Sequence, residues 1–577
     1  MEHIKVAIIG AGWSGLTLAK TYTQVHPDID LVVLEAADSV GGVWASHRFY
    51  PGLRTNSILG SYENPDFPMT VEKYGVKPGE HIPGTVVHRY MTEFAKKFDV
   101  WPRIRFGTKV EEIQQGSDKQ WILTLTTFQS ADGKETTQTK KITADKLVIA
   151  TGVTGNPNMP NIPGADEFDA PLFHAKDFLE KKELLHTAKK VVVYGGSKSA
   201  WDAVYAYATS GTQVEWVIRE SGGGPCWMSP ILVTPLKRCL EYLVLTRLLS
   251  LFNPTFLGNN DGYDFWRRLL HGTAIGRWFV NKFWGTLEGD VVQLNGFDSD
   301  PEIKKLKPWF PAFWSGPSLS ILNYPTDFFQ YVKNGTVKVH YAAITHLTRH
   351  TVHLSTREAL EVDALHCSTG WKHEPPIKVS PPSLTTRLGL PTDIDASRSE
   401  FTQRADAEIL DKFPSLKDQP KVKAKRYAVD GESRKSPYRL YRYMVAPATV
   451  DSRNFAVAGA ILSLGSVTNA QIQALWITAY LDGSLDLPKC SDEIEYSTEL
   501  STRFGHWRYP ADYGDRHATL VFDTVPYFDE LLRDLGLRFQ RKGSWWRELL
   551  SDYRPADYRG IVDEWIELRR TTSRKEK

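Results

Sequence analysis

The residues IKVAIIGAGWSG, at positions 4–15, decide the fold of this chain. The apolar run at their start is typical of a short buried strand, and the residues that follow keep the spacing of a helix. Gly10, Gly12 and Gly15 form a GxGxxG pattern between the two, where glycine lets the backbone turn tightly and approach a pyrophosphate. The pattern predicts a strand, a glycine turn and a helix whose N-terminus faces a dinucleotide phosphate.

An acidic residue ends the next predicted strand, DLVVLE. Glu35 lies 20 residues past Gly15, at the position where a carboxylate accepts hydrogen bonds from ribose hydroxyls. Its negative charge would repel a 2′-phosphate, so we expect FAD or NAD here and not NADP. Gly42 and Trp44 follow in the run EAADSVGGVW, where the glycine pair predicts a second turn.

A second strand–turn–helix unit begins with KKVVVY and continues with Gly195. Against the GxGxxG pattern, Ser197 and Ala200 stand at the second and third glycine positions, so the match is weaker. The next predicted strand, VEWVIRE, places Arg219 19 residues past Ala200. Arg219 therefore takes the place that Glu35 has in the first unit.

The exchange of carboxylate for guanidinium indicates a different nucleotide. Arg219 can grip a 2′-phosphate through paired charge-assisted hydrogen bonds, where a carboxylate would expel it. Ser197, Lys198 and Ser199 can add donors for the phosphates. The alternative is that Arg219 is a solvated surface charge. Because it sits in a complete strand–turn–helix–strand unit, we favour NADPH in this second site.

The run ExxxxxGGxW, from Glu35 to Trp44, resembles the FAD-binding segment of flavin-containing monooxygenases and Baeyer–Villiger monooxygenases, which are class B flavoprotein monooxygenases. The turn at Thr151, in Ala-Thr-Gly, is similar to the turn that returns the chain toward the flavin in this superfamily, and a second such turn occurs at 368–371. The segment FDAPLFHAKDF, at 168–178, resembles the family fingerprint, with alanine in place of its glycine.

The resemblance implies roles for two further residues. His174, within the fingerprint, is expected to couple the domains by positioning and not to transfer a proton; the alternative is an ordinary packed histidine. The segment NFAVAGAILSLGSVTNAQIQALWITAYL resembles the last flavin-contacting element of the family. There Gly459 closes a strand, and the residues from Thr468 to Gln473, Gln471 among them, are expected to open a helix near the isoalloxazine.

We predict an α/β fold with two Rossmann-type dinucleotide-binding domains, the NADPH domain being inserted into the FAD domain. The predicted boundaries are 1–165 for the first part of the FAD domain, 166–345 for the NADPH domain with a helical insert at about 225–340, 346–485 for the second part of the FAD domain, and 486–577 for a C-terminal extension.

The helical insert has two interpretations. It either caps the substrate pocket, or it forms a basic and aromatic helix that docks on a membrane. The residues that suggest docking are Trp266, Arg267, Arg268, Arg277, Trp278, Lys282 and Trp284. We favour the cap, because aromatic side chains of helices lie mostly in cores.

The resemblance implies a monooxygenase in which NADPH reduces the flavin and O₂ then forms a C4a-(hydro)peroxyflavin, which transfers one oxygen atom to a small organic substrate. In YPGLRTN, Asn56 aligns with the asparagine beside the flavin in flavin-containing monooxygenases, whereas the Baeyer–Villiger pattern has aspartate there. The stretch is mixed, because Tyr50, Pro51 and Gly52 resemble the Baeyer–Villiger pattern. From Asn56 we favour oxygenation of nitrogen or sulfur. The alternatives are Baeyer–Villiger oxidation of a ketone, or an NADPH-dependent flavin reductase or oxidase. The combination resembles fungal tailoring enzymes of secondary metabolism.

Composition limits the other possibilities. A net charge of +2 gives no reason to expect a nucleic-acid partner. The cysteines form no CxxC pair or metal-ligand spacing, which argues against disulfide reduction and a metal site and favours a reducing, cytoplasmic location. No run of about 18 apolar residues predicts a spanning helix. The sequence leaves the physiological substrate and the oligomeric state open.

Overall fold

The computed structural model describes residues 1–131, 134–233, 237–393, 400–422 and 435–575. Within them, two open sheets carry helices on their faces, and the predicted α/β fold with Rossmann-type domains is confirmed. Each sheet has at its centre a strand that runs straight into a glycine turn and a helix.

The first sheet has eight strands and is parallel around its glycine-turn strand. The strands Thr108–Gln115, Trp121–Ala131 and Lys134–Ile149 form an antiparallel meander on one side. In spatial order the strands are Lys378–Ser380, Thr108–Gln115, Trp121–Ala131, Lys134–Ile149, Glu2–Ile9, Leu31–Leu34 and Ile104–Arg105, with Phe455–Val457 paired to Lys134–Ile149.

The second sheet is parallel throughout. Its spatial order is Leu172–His174, Ala364–Cys367, Lys190–Tyr194, Gln213–Ile218 and Val337–Tyr341. Because the first sheet uses strands from both before and after these residues, the second unit is an insertion in the first.

One predicted boundary needs a correction. The sequence predicts the second part of the FAD domain from residue 346 to residue 485, but Ala364–Cys367 pairs with Lys190–Tyr194 in the second sheet. The antiparallel strands Ile344–Thr348, Thr351–Leu354 and Ala359–Glu361 share a buried cluster with Val192 and belong with that sheet as well. We therefore propose that the chain returns to the first domain after Cys367. The other boundaries stay predictions.

The remaining strands form short pairs, which are Arg54–Ile58 with His81–Pro83, Asn156–Pro157 with Trp371–Lys372, Trp227–Ser229 with Leu319–Ile321, Leu232–Val233 with Arg238–Cys239, and Ile461–Leu462 with Ala518–Thr519. The α-helices of the described chain are Trp13–Val25, Val71–Tyr74, Gly84–Lys97, Leu184–Thr187, Lys198–Thr209, Leu240–Val244, Arg247–Phe252, Asp264–Gly272, Ala274–Leu294, Pro301–Lys304, Phe329–Lys333, Pro382–Arg387, Glu400–Lys412, Ser466–Leu481, Ser491–Arg508, Thr524–Asp534, Trp545–Leu550 and Ile561–Lys575.

The most buried of these helices is Ser466–Leu481, in which every residue after the first is buried. It packs against Trp13–Val25 on one side and against Thr524–Asp534 on the other. The C-terminal helices thus complete the core of the first domain. No helix of the described residues is long and apolar enough to cross a membrane.

Candidate functional site

The first glycine turn can be built only with glycine at two of its positions. Gly10 has a φ of +108°, and a Cβ there would lie 2.8 Å from the carbonyl oxygen of Ala150. A Cβ on Gly15 would lie 1.9 Å from the carbonyl oxygen of Gly10, so any side chain would push the helix off the strand. The turn therefore brings helix Trp13–Val25 as close to the strand as a phosphate-binding turn requires.

A second glycine pair faces this turn. Gly42 has a φ of +59°, and a Cβ on it would lie 3.3 Å from the Cα of Gly12. The backbone of Gly42 therefore lies against the backbone of Gly12, with no side chain between them. Because no side chain covers the backbone there, a pyrophosphate can approach it closely.

Glu35 lies directly after strand Leu31–Leu34, as predicted, and its carboxylate turns toward the glycine turn. Its two oxygens accept hydrogen bonds from the backbone N–H groups of Ala11, at 2.6 Å, and Ala37, at 2.9 Å. Burial raises the pKa of this carboxyl, and the two N–H donors act in the opposite direction. The position suits a ribose contact, which stays a prediction.

Trp44 forms one wall beside the glycine pair. Its indole N–H donates to the Tyr62 hydroxyl at 2.7 Å, and its carbonyl oxygen pairs with the ring of His88 at 3.0 Å. Thr151 follows the strand end at Ala150, whose N–H donates to Ile9 at 2.9 Å. Thr151 therefore lies at the end of the first sheet, and Trp44 follows the glycine pair that faces the first glycine turn.

The helix that was expected to open near the isoalloxazine begins at Ser466, two residues before the predicted start. Gln471 lies in its second turn, and its side-chain oxygen accepts a hydrogen bond from Asn64 at 3.0 Å. The Nε2 of Gln471 and the Oδ1 of Asn469 are buried and have no hydrogen-bond partner among the described residues. These unmet groups, together with the bare backbone at Gly12 and Gly42, fit FAD.

The second glycine turn shows the same construction. Gly195 has a φ of +135°, and a Cβ on it would lie 2.2 Å from the carbonyl oxygen of Ser368. Gly196 is pressed against Gly224, whose carbonyl oxygen would lie 2.5 Å from an added Cβ. Ser197 is the N-cap residue of helix Lys198–Thr209. The turn thus tolerates serine at its second glycine position because the tight contacts fall on its neighbours.

Lys198 points into a cluster at the boundary of the two domains. Its ammonium pairs with Asp202, donates to the Asn323 side-chain oxygen at 2.9 Å, and lies 4.7 Å from the centre of the Tyr324 ring. The hydroxyls of Ser197 and Ser199 are hydrogen-bonded to each other at 3.0 Å. Contacts of these three residues with NADPH phosphates stay predictions.

Arg219 follows strand Gln213–Ile218 and is half-buried. It therefore occupies, in the second domain, the place after the second strand that Glu35 occupies in the first. Its Nε would lie 3.4 Å from a Cβ on Gly222, so the loop wraps closely around the guanidinium. The placement suits a 2′-phosphate, and that contact too stays a prediction.

His174 joins the fingerprint segment to the second Thr-Gly turn. Its Nε2 donates to the carbonyl oxygen of Gly370 at 2.9 Å, and its Nδ1 accepts from the Lys176 backbone at 3.1 Å. These two partners require the neutral ring with hydrogen on Nε2. Burial lowers its pKa, which keeps that form. The geometry therefore suits the predicted positioning role, because both nitrogens are engaged by backbone.

Asn56 lies on strand Arg54–Ile58 with its amide exposed, and it donates to the Ser320 hydroxyl at 3.4 Å. Ser57, the next residue, donates to Glu241 Oε1 at 2.7 Å. Asn323 donates to the backbone carbonyl of Thr55 at 3.1 Å. Three hydrogen bonds with the insert therefore hold this strand, and one of them reaches the Asn56 amide.

An apolar cavity of about 30 Å³ lies between the insert and Phe522 of the C-terminal segment. Its lining includes Trp227, Leu240, Trp284 and Leu319. Leu319 precedes Ser320 on strand Leu319–Ile321, and Ser320 contacts Asn56, so this strand links the wall of the cavity to the exposed amide. This arrangement agrees with the interpretation of the insert as a cap.

Sequence reasoning missed the residues that support the predicted ones from far along the chain. Asn64, Asp202, Glu241, Ser320 and Asn323 all belong to this group. Asp202 alone had a local signal, since it lies four residues after Lys198 on the same helix. The others come from distant segments, and no spacing in the sequence points to them.

Comparisons with known proteins agree with this geometry. Residues 7–245 match the family described as pyridine nucleotide-disulphide oxidoreductase. The FAD-dependent monooxygenase resA of Aspergillus sclerotiorum is 33% identical over 583 residues, which cover 97% of this chain and 98% of that relative. All four cysteines here are free, and two of them are buried.

Two solved structures share the fold. Cyclohexanone monooxygenase from Rhodococcus sp. Phi1 bound to NADP+ aligns with a TM-score of 0.58 and 16% identity, covering 93% of this chain and 98% of that chain. S-allyl-L-cysteine S-oxygenase from Allium sativum aligns with a TM-score of 0.53 and 16% identity, covering 99% of this chain and 93% of that chain.

Proposed function

Because this chain belongs to the family of FAD-dependent monooxygenases, as its sequence predicted, we propose that it oxygenates a nitrogen or sulfur atom of a small organic substrate beside Asn56. It is an enzyme that uses FAD and NADPH. NADPH, a proton, O₂ and the substrate give NADP⁺, water and the oxygenated substrate. Bound FAD, reduced by NADPH, supplies the activation of O₂.

The single observation behind this proposal is the neutral amide of Asn56. It is exposed, and its side-chain partner among the described residues is the neutral Ser320 hydroxyl. An amide can donate to and accept from a reacting oxygen without adding charge. Such surroundings suit the transfer of oxygen to an electron-rich nitrogen or sulfur. An aspartate at this position would instead hold a cation and favour attack on a ketone.

The other residues of the site hold the two cofactors and position the two domains. Gly10, Gly12 and Gly42 let the backbone lie against the FAD pyrophosphate, and Arg219 holds the 2′-phosphate of NADPH. His174 fixes the crossing between the domains through Gly370.

The proposal is tested with a panel of amines, thioethers and ketones, NADPH and ¹⁸O₂. We expect one labelled oxygen in amine or thioether products, with NADPH consumed in equal amount. The Asn56→Asp variant should lose most of this activity and keep its bound FAD. Consumption of NADPH that yields only H₂O₂ with every member of the panel would show a reductase or oxidase instead.

A second candidate is Baeyer–Villiger oxidation. It is favoured by Tyr50, Pro51 and Gly52, which match that pattern, and by the fold of cyclohexanone monooxygenase. Labelled ester or lactone from the ketones, with unreacted amines and thioethers, would establish this reaction in place of the first.

A further inference from the structure

The insert carries a helical hairpin that turns large apolar side chains outward. Helices Asp264–Gly272 and Ala274–Leu294 are joined by a single residue and pack on each other. Six large apolar residues point outward, and we call them the hairpin face. They are Phe265 (64% exposed), Trp266 (52%), Leu269 (42%), Ile275 (73%), Trp278 (59%) and Phe279 (52%). Soluble surfaces rarely gather so many large apolar groups in one place.

The exposed apolar residues follow the helical repeat, so they form one continuous face of the helix. The residues Ile275, Trp278 and Phe279 lie at helical spacing on one side of their helix, while Val280 and Trp284 are buried on the other. Both sides of the helix are therefore apolar, although folding needs one alone. The expectation that the aromatic residues of the insert lie in the core is right for Trp284 and wrong for Trp266 and Trp278.

The rim of the hairpin face is basic. Arg268 and Lys282 are exposed, and Arg277 is half-buried with its guanidinium donating to the carbonyl oxygen of Gly272 at 3.0 Å. Between residues 262 and 286, Asp264 is the one carboxylate in the sequence, and it accepts a hydrogen bond from the Asn260 backbone. The face thus presents rings and cations with little negative charge between them.

This composition selects one partner. In a symmetric pair of chains, Arg268 and Lys282 would meet the same cations of the second copy, and Asp264 is the one carboxylate between residues 262 and 286 that could pair with them. The interface of an anionic bilayer accepts tryptophan rings at the level of its headgroups and pairs lysine and arginine with phosphate. We propose that the hairpin face docks this enzyme reversibly on an anionic membrane surface.

A short helix near the hairpin also exposes tryptophan side chains. Helix Trp545–Leu550 exposes Trp545 by 78% and Trp546 by 47%. It packs against Arg247–Phe252, which in turn packs against the first helix of the hairpin. The largest exposed aromatic residues of the described chain thus lie on connected helices.

Docking has a consequence for the site, which rests on the proposed function, whereas docking itself does not. Trp284, Leu287 and Val291 line the apolar cavity from the inner side of the helix whose outer side would meet lipid. Leu319, which also lines this cavity, lies on the strand whose Ser320 contacts Asn56. Docking would therefore bring the membrane to the side of the site that the insert covers, and an apolar substrate dissolved in the bilayer would approach from that side.

The test is co-sedimentation of the FAD-loaded enzyme with vesicles of phosphatidylcholine alone or mixed with phosphatidylserine. We expect stronger binding to the anionic vesicles, weakened by salt. The double variant Trp266→Ala, Trp278→Ala should bind at least about tenfold more weakly. Arg268→Gln and Lys282→Gln should each weaken binding about fivefold on anionic vesicles. Phe128→Ala, an exposed aromatic residue on the first sheet, is the matched control and should bind as the unaltered enzyme does.

Equal binding by the double variant and the Phe128 control overturns the proposal, and so does an unaltered enzyme that ignores anionic vesicles at low salt. Light scattering tests whether a second copy of the chain covers the face instead. If the unaltered enzyme is a dimer and the double variant is a monomer, the face serves self-association and the proposal is overturned. If the double variant loses its FAD, the proposal is judged from the vesicle binding of Arg268→Gln and Lys282→Gln and from the lipid dependence of the unaltered enzyme. NADPH oxidation with a water-soluble substrate should be the same in every variant, so a failed docking test leaves the proposed function standing.

Discussion

The Tyr50 hydroxyl donates a hydrogen bond to Asp202 Oδ2 at 2.7 Å, and this contact joins the two nucleotide domains. Tyr50 follows the turns of the first domain, whereas Asp202 lies on the helix that begins at the second glycine turn. Asp202 also accepts from the Tyr324 hydroxyl at 2.9 Å and pairs with Lys198. Burial, with the nearby carboxylate, raises the pKa of Tyr50 well above its usual range, so the phenol stays a donor.

We expect Tyr50→Phe to loosen this contact between the domains. The variant keeps the ring and removes one hydrogen bond to a carboxylate, which costs about 1–3 kcal/mol. Thermal unfolding of the FAD-loaded enzyme should therefore begin at a lower temperature. Tyr205→Phe is the control, since its hydroxyl bonds Thr326 within the second domain and is exposed. Equal losses in the two variants would show that the contact with Asp202 has no special weight.

Gly42→Ala tests the bare backbone at the FAD position. An alanine there has to adopt a φ of +59° and places its Cβ 3.3 Å from the Cα of Gly12. We expect FAD to bind at least about tenfold more weakly, because backbone strain of roughly 1–2 kcal/mol adds to the lost space. The ratio of flavin to protein absorbance measures the loss. Gly79→Ala has a φ of +84° with no atom within 4 Å of its Cβ, so it carries the strain alone and should keep its FAD.

How far the sequence predicts this protein depends on the distance over which a feature is built. The glycine turn with Glu35 and the Arg219 position arise within single strand–turn–helix–strand units, so their spacing predicts them. The bond between Asn64 and Gln471 joins residues 407 positions apart, and no local pattern indicates such a partner.

The sequence does not predict the domain boundary or the hairpin face, and the two physical reasons are related. The strand Ala364–Cys367 reads as an ordinary apolar strand, and only its pairing with Lys190–Tyr194 shows which sheet it joins. An apolar helix such as Ala274–Leu294 has the same composition whether its outer side meets protein, lipid or water. Sequence periodicity identifies an apolar face but does not identify what covers it.

Arg219→Ala tests the preference for NADPH. The variant loses paired hydrogen bonds to the 2′-phosphate, which should cost about 1.5–3 kcal/mol and raise the KM for NADPH about ten- to a hundredfold. The KM for NADH should change little, because NADH has no such phosphate. Arg349→Ala removes an exposed arginine of the small antiparallel sheet and serves as the control. Equal use of NADH and NADPH by the unaltered enzyme would contradict the assignment.

His174→Ala tests the positioning role. The variant removes the hydrogen bond to Gly370 and leaves the Lys176 backbone N–H without its acceptor. We expect normal FAD binding and a rate of flavin reduction by NADPH that falls about ten- to a hundredfold, because the crossing between the domains is misplaced. Stopped-flow absorbance of the flavin measures the rate. His186→Ala, at an exposed position, should reduce at the normal rate, and a His174 variant that does the same would leave only a packing role.

Glu241 makes stability depend on pH. It is buried beside the strand of Asn56 and accepts from Ser57, and burial raises its pKa to about 7. Its unfolded pKa is 4.5, so between these values the folded chain holds a proton that the unfolded chain has lost. The contribution to stability is therefore complete below about pH 4.5 and is lost as the pH rises through about 7.

We expect Glu241→Gln to remove this dependence, because the amide stays neutral and its oxygen still accepts from Ser57. The free energy of unfolding of the variant, relative to that of the unaltered enzyme, should rise by on the order of 3 kcal/mol as the pH is raised from about 4.5 to about 8. Urea midpoints at the two pH values measure the gain. Desolvation also raises the pKa values of the buried Asp523 and Asp529 and of the half-buried Glu530, so the variant is compared with the parent at each pH. The exposed Glu361→Gln is the control, and a Glu241 variant whose midpoint follows the parent at both pH values would show that the buried carboxyl ionises freely.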